Sequence, residues 1–181
     1  MMHFDAILIV CVGNICRSPT AERLLQQALP HKTVSSAGIA ALTGQSADVS
    51  AEAVAQHHGL SLDGHIAQQL TRALCQRYDL ILVMEQQHIE AVTRIAPEVR
   101  GKTMLYGHWL KRDIPDPYRQ SREAFEFTFD LIAEATQALT LIHKLHPERN
   151  FSRFPGSDLP CDSQHGNDHA NFCSSSCGRL G

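Results

Sequence analysis

Cys11 and Arg17 stand six positions apart in VCVGNICRSP (residues 10–19), and a serine and a proline follow the arginine directly. A thiol and a guanidinium at that spacing suit phosphate chemistry if the residues between them form a loop closed by a helix. In such a loop the backbone N–H groups of Val12, Gly13, Asn14, Ile15 and Cys16 turn inward, and the positive end of the helix dipole adds to them. The resulting concavity fits a dianion. Gly13 lets the chain turn where a side chain would obstruct it. Arg17 offers a planar fork that grips two phosphoryl oxygens together, which a lysine cannot do. Cys11 then lies at the base of the cradle, where the same positive field favours the thiolate. A thiolate beneath a phosphorus atom is an in-line nucleophile. Ser18 is placed to donate a hydrogen bond to the sulfur and to stabilise it as it leaves in a second step. The spacing alone also admits a plainer reading, with Cys11 a buried strand-end residue and Arg17 a surface charge.

Cleaving a phosphate ester also requires a proton for the departing oxygen. DIPDPYRQ (residues 113–120) carries two candidates, Asp116 between two prolines and Asp113 before them. Pro115 and Pro117 stiffen the loop, and a carboxylic acid held rigidly near the cradle is what general acid catalysis needs. Asp116 is the better candidate and Asp113 its rival, while an ordinary Asp-Pro turn is the alternative to both.

Positioning these groups falls to the flanking elements. Residues 6–10 are a run of mostly branched apolar residues, the pattern of a strand buried on both faces. Pro19 suits the first turn of the helix that follows, because its missing N–H costs nothing there. That helix carries Leu24, Leu25 and Ala28 on one side and stops at Pro30. A brief second strand is expected over 33–36 and a loop over 38–44. DVSAEAVAQHHG (residues 48–59) reads as a helix with Gly59 just past its end. Residues 80–84 form a third strand, 85–96 an amphipathic helix ended by Pro97, and 102–106 a fourth strand. Ser121 caps a long helix in which Phe125, Phe129, Ile132, Ala135, Leu139 and Ile142 recur every three or four positions. Strands alternating with helices predict an α/β domain with a parallel sheet covered on both sides.

The whole chain agrees with one such domain. At 181 residues, 43% hydrophobic and 19% charged, it has room for a single sizeable core. A formal charge of −3 gives no ground for nucleic-acid binding or a basic membrane patch. The start, MMHFDAILIVCVGN, lacks a basic stretch, and its apolar run is too short for a signal peptide or a membrane span. A cytoplasmic protein is expected, without membrane insertion. In a reducing compartment its six cysteines are expected free, catalytic or metal-bound. From about residue 146 the chain loses its apolar pattern, so it divides into a folded domain, 1–146, and a tail, 147–181, too polar to offset its ordering entropy. In that tail Cys161, His165, His169, Cys173 and Cys177 fall at intervals of four. These are zinc-ligand types, but such spacing on one helix gives a line rather than a tetrahedron, and Gly166 opposes the helix. A disordered extension is the preferred expectation.

The segment 11–19 together with Asp116-Pro117-Tyr118 resembles the low-molecular-weight protein tyrosine phosphatases. It looks most like the bacterial branch encoded with exopolysaccharide export systems. The similarity continues through SAGI (36–39), GHIAQQLT (64–71), YDLILVME (78–85), RGK (100–102) and GHW (107–109), and so covers most of the chain up to about residue 145. The resemblance implies a single-domain three-layer sandwich with a four-stranded parallel sheet in the order 2-1-3-4. It implies no metal and no cofactor, with phosphotyrosine hydrolysed through a phosphocysteine. Cys11 is then the nucleophile, Arg17 the phosphate clamp and Asp116 the general acid. Asn14, Ser18, Ser36 and His65 match the polar network that holds the loop in shape, and Tyr118 matches the aromatic wall of the slot. A deep slot with the thiolate at its floor favours the long phosphotyrosine over phosphoserine. Arg119 stands where some members have a second aromatic residue, and Leu42 is the bulky apolar group of the facing loop. Cys16 is either a small buried residue or the partner of a reversible disulfide that protects Cys11. The implied partner is a tyrosine autokinase of polysaccharide export.

Three rivals remain on the sequence. A thioredoxin-coupled arsenate reductase on the same scaffold needs a relay of cysteines in mid-chain, where Cys75 stands alone. A phosphocysteine phosphocarrier of a sugar-transport system predicts no acid on the far loop. A non-catalytic phosphotyrosine-binding module would keep Arg17 without needing Cys11. Lys111, Arg112, Arg119 and Arg122 around the acid are a solvated rim or a steering patch for acidic, multiply phosphorylated segments.

Overall fold

The computed structural model describes residues 4–145; the Cys/His-bearing tail and the readings made for it lie outside them. In chain order the elements are β1 (Ala6–Cys11), α1 (Arg17–Ala28), β2 (Thr33–Gly38), α2 (Val49–His57), α3 (Arg72–Arg77), β3 (Leu80–Val83), α4 (Gln86–Ile95), β4 (Thr103–Leu105) and α5 (Arg122–Leu145). The four strands form one sheet in the order β2-β1-β3-β4, every pair parallel. This is the expected α/β sandwich.

β1 is central because its side chains are apolar in both directions. Ile7, Leu8, Ile9 and Val10 are all completely buried, each burial contributing about 1.5–3 kcal/mol. Alternation along the strand separates two packing layers. Ile7, Ile9 and Cys11 meet Ala21 and Leu25 of α1 and Ile132, Ala135 and Leu139 of α5. Leu8 and Val10 meet Cys75 of α3 and Ile89 and Val92 of α4. A third cluster sits at the end of the sheet where β1 runs out. There Ile15 and Cys16 pack with Ala51 and Val54 of α2 and with Phe125 and Phe129 of α5. No helix among the described residues is long and apolar enough to cross a membrane.

Three details differ from the sequence expectations. β2 runs two residues past Ser36, because Ala37 and Gly38 pair with Val10 and Cys11. Neither residue favours a strand by itself, so pairing with a buried neighbour decides. The helix α3 was not anticipated; at six residues it is too short to show periodicity, and Thr71 caps it by accepting from the N–H of Leu74. Ile142 is half-buried rather than in the core.

Candidate active site

The loop of residues 11–16 runs from the C-terminal end of β1 to the first turn of α1. Open parallel sheets bind ligands at that edge. Asn14 holds the loop in shape. It is fully buried and adopts a left-handed backbone conformation, φ 58°, which asparagine tolerates better than most residues. Its N–H donates to Cys11 Sγ at 3.2 Å. Its side-chain Oδ1 accepts from the N–H of Gln68 at 2.9 Å, so its Nδ2 faces Ser18 and Ser36, donating to each hydroxyl at 2.8 Å. Those donations fix the direction of both hydroxyls. Ser36 passes its own hydrogen to the Glu22 carboxylate. Ser18, 2.9 Å from Cys11 Sγ, is left with its hydrogen to give to the sulfur. His65 Nε2 lies 2.6 Å from the Asn14 carbonyl oxygen and closes the network from the other side.

Arg17, the largest fully buried side chain, is held on both arms of its fork. Nη1 donates to Glu85 and to the carbonyl of Ile114 at 2.9 Å, and Nη2 pairs with Asp116 Oδ2 at 2.8 Å. The other Asp116 oxygen accepts from the Tyr118 N–H at 3.2 Å, which turns the loop back over itself. Asp113 is elsewhere: it accepts from the first N–H of α4 and faces a separate groove beside Arg112 and Pro115. Of the two aspartates, Asp116 is the one brought to the loop.

Together these groups line a cleft with Cys11 and Arg17 at its floor. Val12, Gly13, Ile15 and Cys16 form the rim contributed by the loop, with Ala40 and Leu42 on one wall and Asp116 and Tyr118 on the other. Asn14, Ser18, Ser36 and His65 stand behind that lining. Tyr118 is partly exposed, and the Arg119 guanidinium carbon lies 5.1 Å from its ring centre, within cation–π range. Cys16 also reaches the cleft. Burial, reinforced by the charge of Asp48, pushes its thiol far above the ordinary range, and all three described cysteines are unpaired.

Sequence reasoning missed Glu85, His88 and Glu22. Burial alone would raise the Glu85 carboxyl, but the hydrogen bond and charge of Arg17 outweigh it and hold it below its usual value. His88 accepts from the Glu85 N–H on Nδ1 at 3.2 Å, so its proton is on Nε2, which has no hydrogen-bond partner among the described residues. Nε2 lies 3.7 Å from Glu85 Oε1. Burial, partly offset by Glu85, depresses the imidazole below its ordinary value. The available signal was positional: Glu85 ends the YDLILVME run, just past the strand that neighbours β1.

Comparison with known proteins places the site in a family setting. The family model for low molecular weight phosphotyrosine protein phosphatase matches residues 6–150. The low molecular weight protein-tyrosine-phosphatase Wzb of Escherichia coli K12 is 56% identical over 135 residues, spanning 74% of this chain and 92% of the relative. Among solved structures, Vibrio vulnificus Wzb in complex with benzylphosphonate is 60% identical with a TM-score of 0.75, covering 76% of this chain and 98% of that one. The arginine phosphatase YwlE of Geobacillus stearothermophilus has the same fold with a TM-score of 0.73, at 30% identity, covering 80% of this chain and 96% of that one.

Proposed function

The chain belongs to the low molecular weight phosphotyrosine protein phosphatases and is a protein-tyrosine-phosphatase, and we propose that it works through a phosphocysteine formed on Cys11. The catalytic unit in this reading is 1–146. The supporting observation is the convergence of Cys11, Arg17 and Asp116 on one cleft, with hydrogen-bond donors aimed at the sulfur.

A phosphoryl group entering the cradle competes for the Nη2 arm of Arg17, which Asp116 occupies at 2.8 Å. Binding thus releases Asp116 toward the ester oxygen while Glu85 keeps the Nη1 arm in place. Once freed from the guanidinium, the Asp116 carboxylate takes up a proton from solvent. The Cys11 thiolate then attacks phosphorus, the bond from phosphorus to the tyrosine oxygen breaks, and Asp116 gives that proton to the departing oxygen. Asp116, now a carboxylate, takes a proton from water as the water attacks phosphocysteine. The P–S bond breaks, Ser18 stabilises the departing thiolate, and inorganic phosphate leaves. Oxygen charge developing in both steps meets the loop N–H groups and Arg17.

Benzylphosphonate, the ligand of the Vibrio relative, pairs an aromatic ring with a phosphonate. It supports an aryl phosphate as the substrate of this cleft, with Tyr118 and Leu42 flanking the ring. The protein substrate we infer is a cytoplasmic tyrosine autokinase of polysaccharide export. The test is turnover of p-nitrophenyl phosphate and phosphotyrosine peptides in EDTA, with phosphoarginine peptides as the competing substrate. Cys11→Ser is expected to lose essentially all turnover. Asp116→Ala is expected to lose a factor of about 10²–10⁴ in kcat while still binding phosphopeptide. Full activity in Cys11→Ser excludes the mechanism, and faster turnover of phosphoarginine replaces the substrate.

A further inference from the structure

On the far side of the phosphate loop, α2 ends in two consecutive histidines beside the first turns of α5. His57 is the last helical residue and His58 its cap; Gly59, at φ 75°, then turns the chain away. The His58 ring is stacked on Phe129 with centres 4.2 Å apart and planes 16° from parallel. Its Nε2 is 2.9 Å from Glu126 Oε2. The His57 ring stands edge-on to His58 at 5.2 Å. One donor atom from each of His57, His58 and Glu126 lies within 4.8 Å of the other two. None of the three lines the cleft or takes part in the chemistry above.

We propose that His57, His58 and Glu126 form a binding site for a divalent transition ion of the zinc class, with water completing the shell. Two imidazoles and one carboxylate are a donor set for zinc, cobalt or nickel rather than magnesium or calcium, which prefer oxygen alone. Ligands of a tetrahedral zinc lie roughly 3.3 Å from one another. The His58–Glu126 pair is already near that spacing, and His57 needs a side-chain rotation of modest size. Stacking on Phe129 restricts the His58 ring before any ion arrives, as an outer partner does in known zinc sites.

Two neighbours decide what the site does. Arg122 lies 3.4 Å from the other Glu126 oxygen and, as a competing cation, weakens the site. Phe129 continues inward to a small cavity shared with Cys16 and Arg17. An ion held here ties the end of α2 to α5 across the packing that backs the phosphate loop, and it stabilises the folded chain in proportion to its affinity.

The experiment is titration of the full-length protein carrying Cys11→Ser, which removes the sulfur at the cleft floor, with Co2+ followed by absorption and with Zn2+ followed by melting temperature. The site gives a cobalt spectrum with visible d–d bands and no near-ultraviolet thiolate charge transfer, and a rise in melting temperature with zinc. Adding H57A/H58A weakens cobalt binding at least about ten-fold, Glu126→Gln weakens it by a similar factor, and Arg122→Ala tightens it. In the Cys11 background, H57A/H58A and Glu126→Gln each turn over p-nitrophenyl phosphate in EDTA as the parent does, which certifies their fold. Unchanged cobalt affinity in H57A/H58A overturns the proposal. So does a spectrum whose charge-transfer band accounts for all the bound metal, since that assigns it to cysteine sulfur.

Discussion

At the scale of single residues, the chemistry depends on how one buried arginine is held. Arg17 is 1% exposed, and its charge is balanced by Glu85 from β3's end and Asp116 from the acid loop. The two carboxylates have different duties. In the mechanism proposed above Asp116 leaves the guanidinium when phosphate binds, whereas Glu85 stays. Glu85→Gln keeps the shape but removes the charge that anchors Nη1, so it leaves a buried cation half-compensated. The expected result is a loss of about 1.5–3 kcal/mol of stability and a KM for p-nitrophenyl phosphate raised more than kcat is lowered. Thermal melting and steady-state kinetics read both. A kcat loss with an unchanged KM would instead put Glu85 on the chemical step. The sequence suggested Cys11 and Arg17 as partners because phosphate chemistry demands those types at that spacing, and Asp116 as a candidate acid because two prolines hold it on a stiff loop. The structure brings all three to one cleft. Glu85 was not legible in the sequence, because a carboxylate that merely holds another side chain carries no local signature; its partner is 68 positions away.

At the scale of elements, the close approach of β2 to the phosphate loop sets the cleft's geometry. Gly38 pairs with Cys11, and a Cβ at that position would lie 2.5 Å from the Val12 carbonyl oxygen and 2.9 Å from Ala41. Backbone on both sides leaves nothing flexible to give way. Gly38→Ala therefore pushes Val12 of the loop, and the expected cost is about 1–3 kcal/mol with a fall in kcat larger than that of a surface control such as Glu52→Ala. A Gly38→Ala enzyme with parental kcat and melting temperature would show that the strand can slide instead. The same strand shows where sequence patterning stops. The buried runs of β1 and β3 were readable because every residue is apolar, and α5 because its apolar positions repeat over many turns. The last two residues of β2 were not, since their conformation comes from pairing with a strand distant in sequence rather than from local preference. The short α3 was not because six residues show no periodicity, although its Thr71 cap is local.

At the scale of the whole molecule, the site's electrostatics make stability depend on pH in one direction. His88 is 3% exposed within α4 and faces Glu85, Arg17, Asp116 and Asp113. Burial depresses its imidazole from the ordinary 6.5, so the folded protein resists a proton that the unfolded chain accepts. Above pH 6.5 both states hold it neutral and nothing is lost. As pH falls below that value the unfolded chain is favoured, until the folded imidazole also protonates. Glu85 acts in the same sense at lower pH. Its carboxyl is held below the ordinary 4.5, so the stabilisation by Arg17 is complete above that value and fades as pH drops through the depressed one. Melting temperature should thus decline in two stages on acidification, the first set by the imidazole and the second by the carboxylate. His88→Gln lacks a titrating group at that position and should flatten the first stage while leaving the second. Differential scanning calorimetry from pH 8 down to about pH 2 separates them. A first-stage decline of the same size in His88→Gln would assign it to another imidazole, such as that of half-buried His108, which burial also depresses, and detach His88 from the clamp on Arg17.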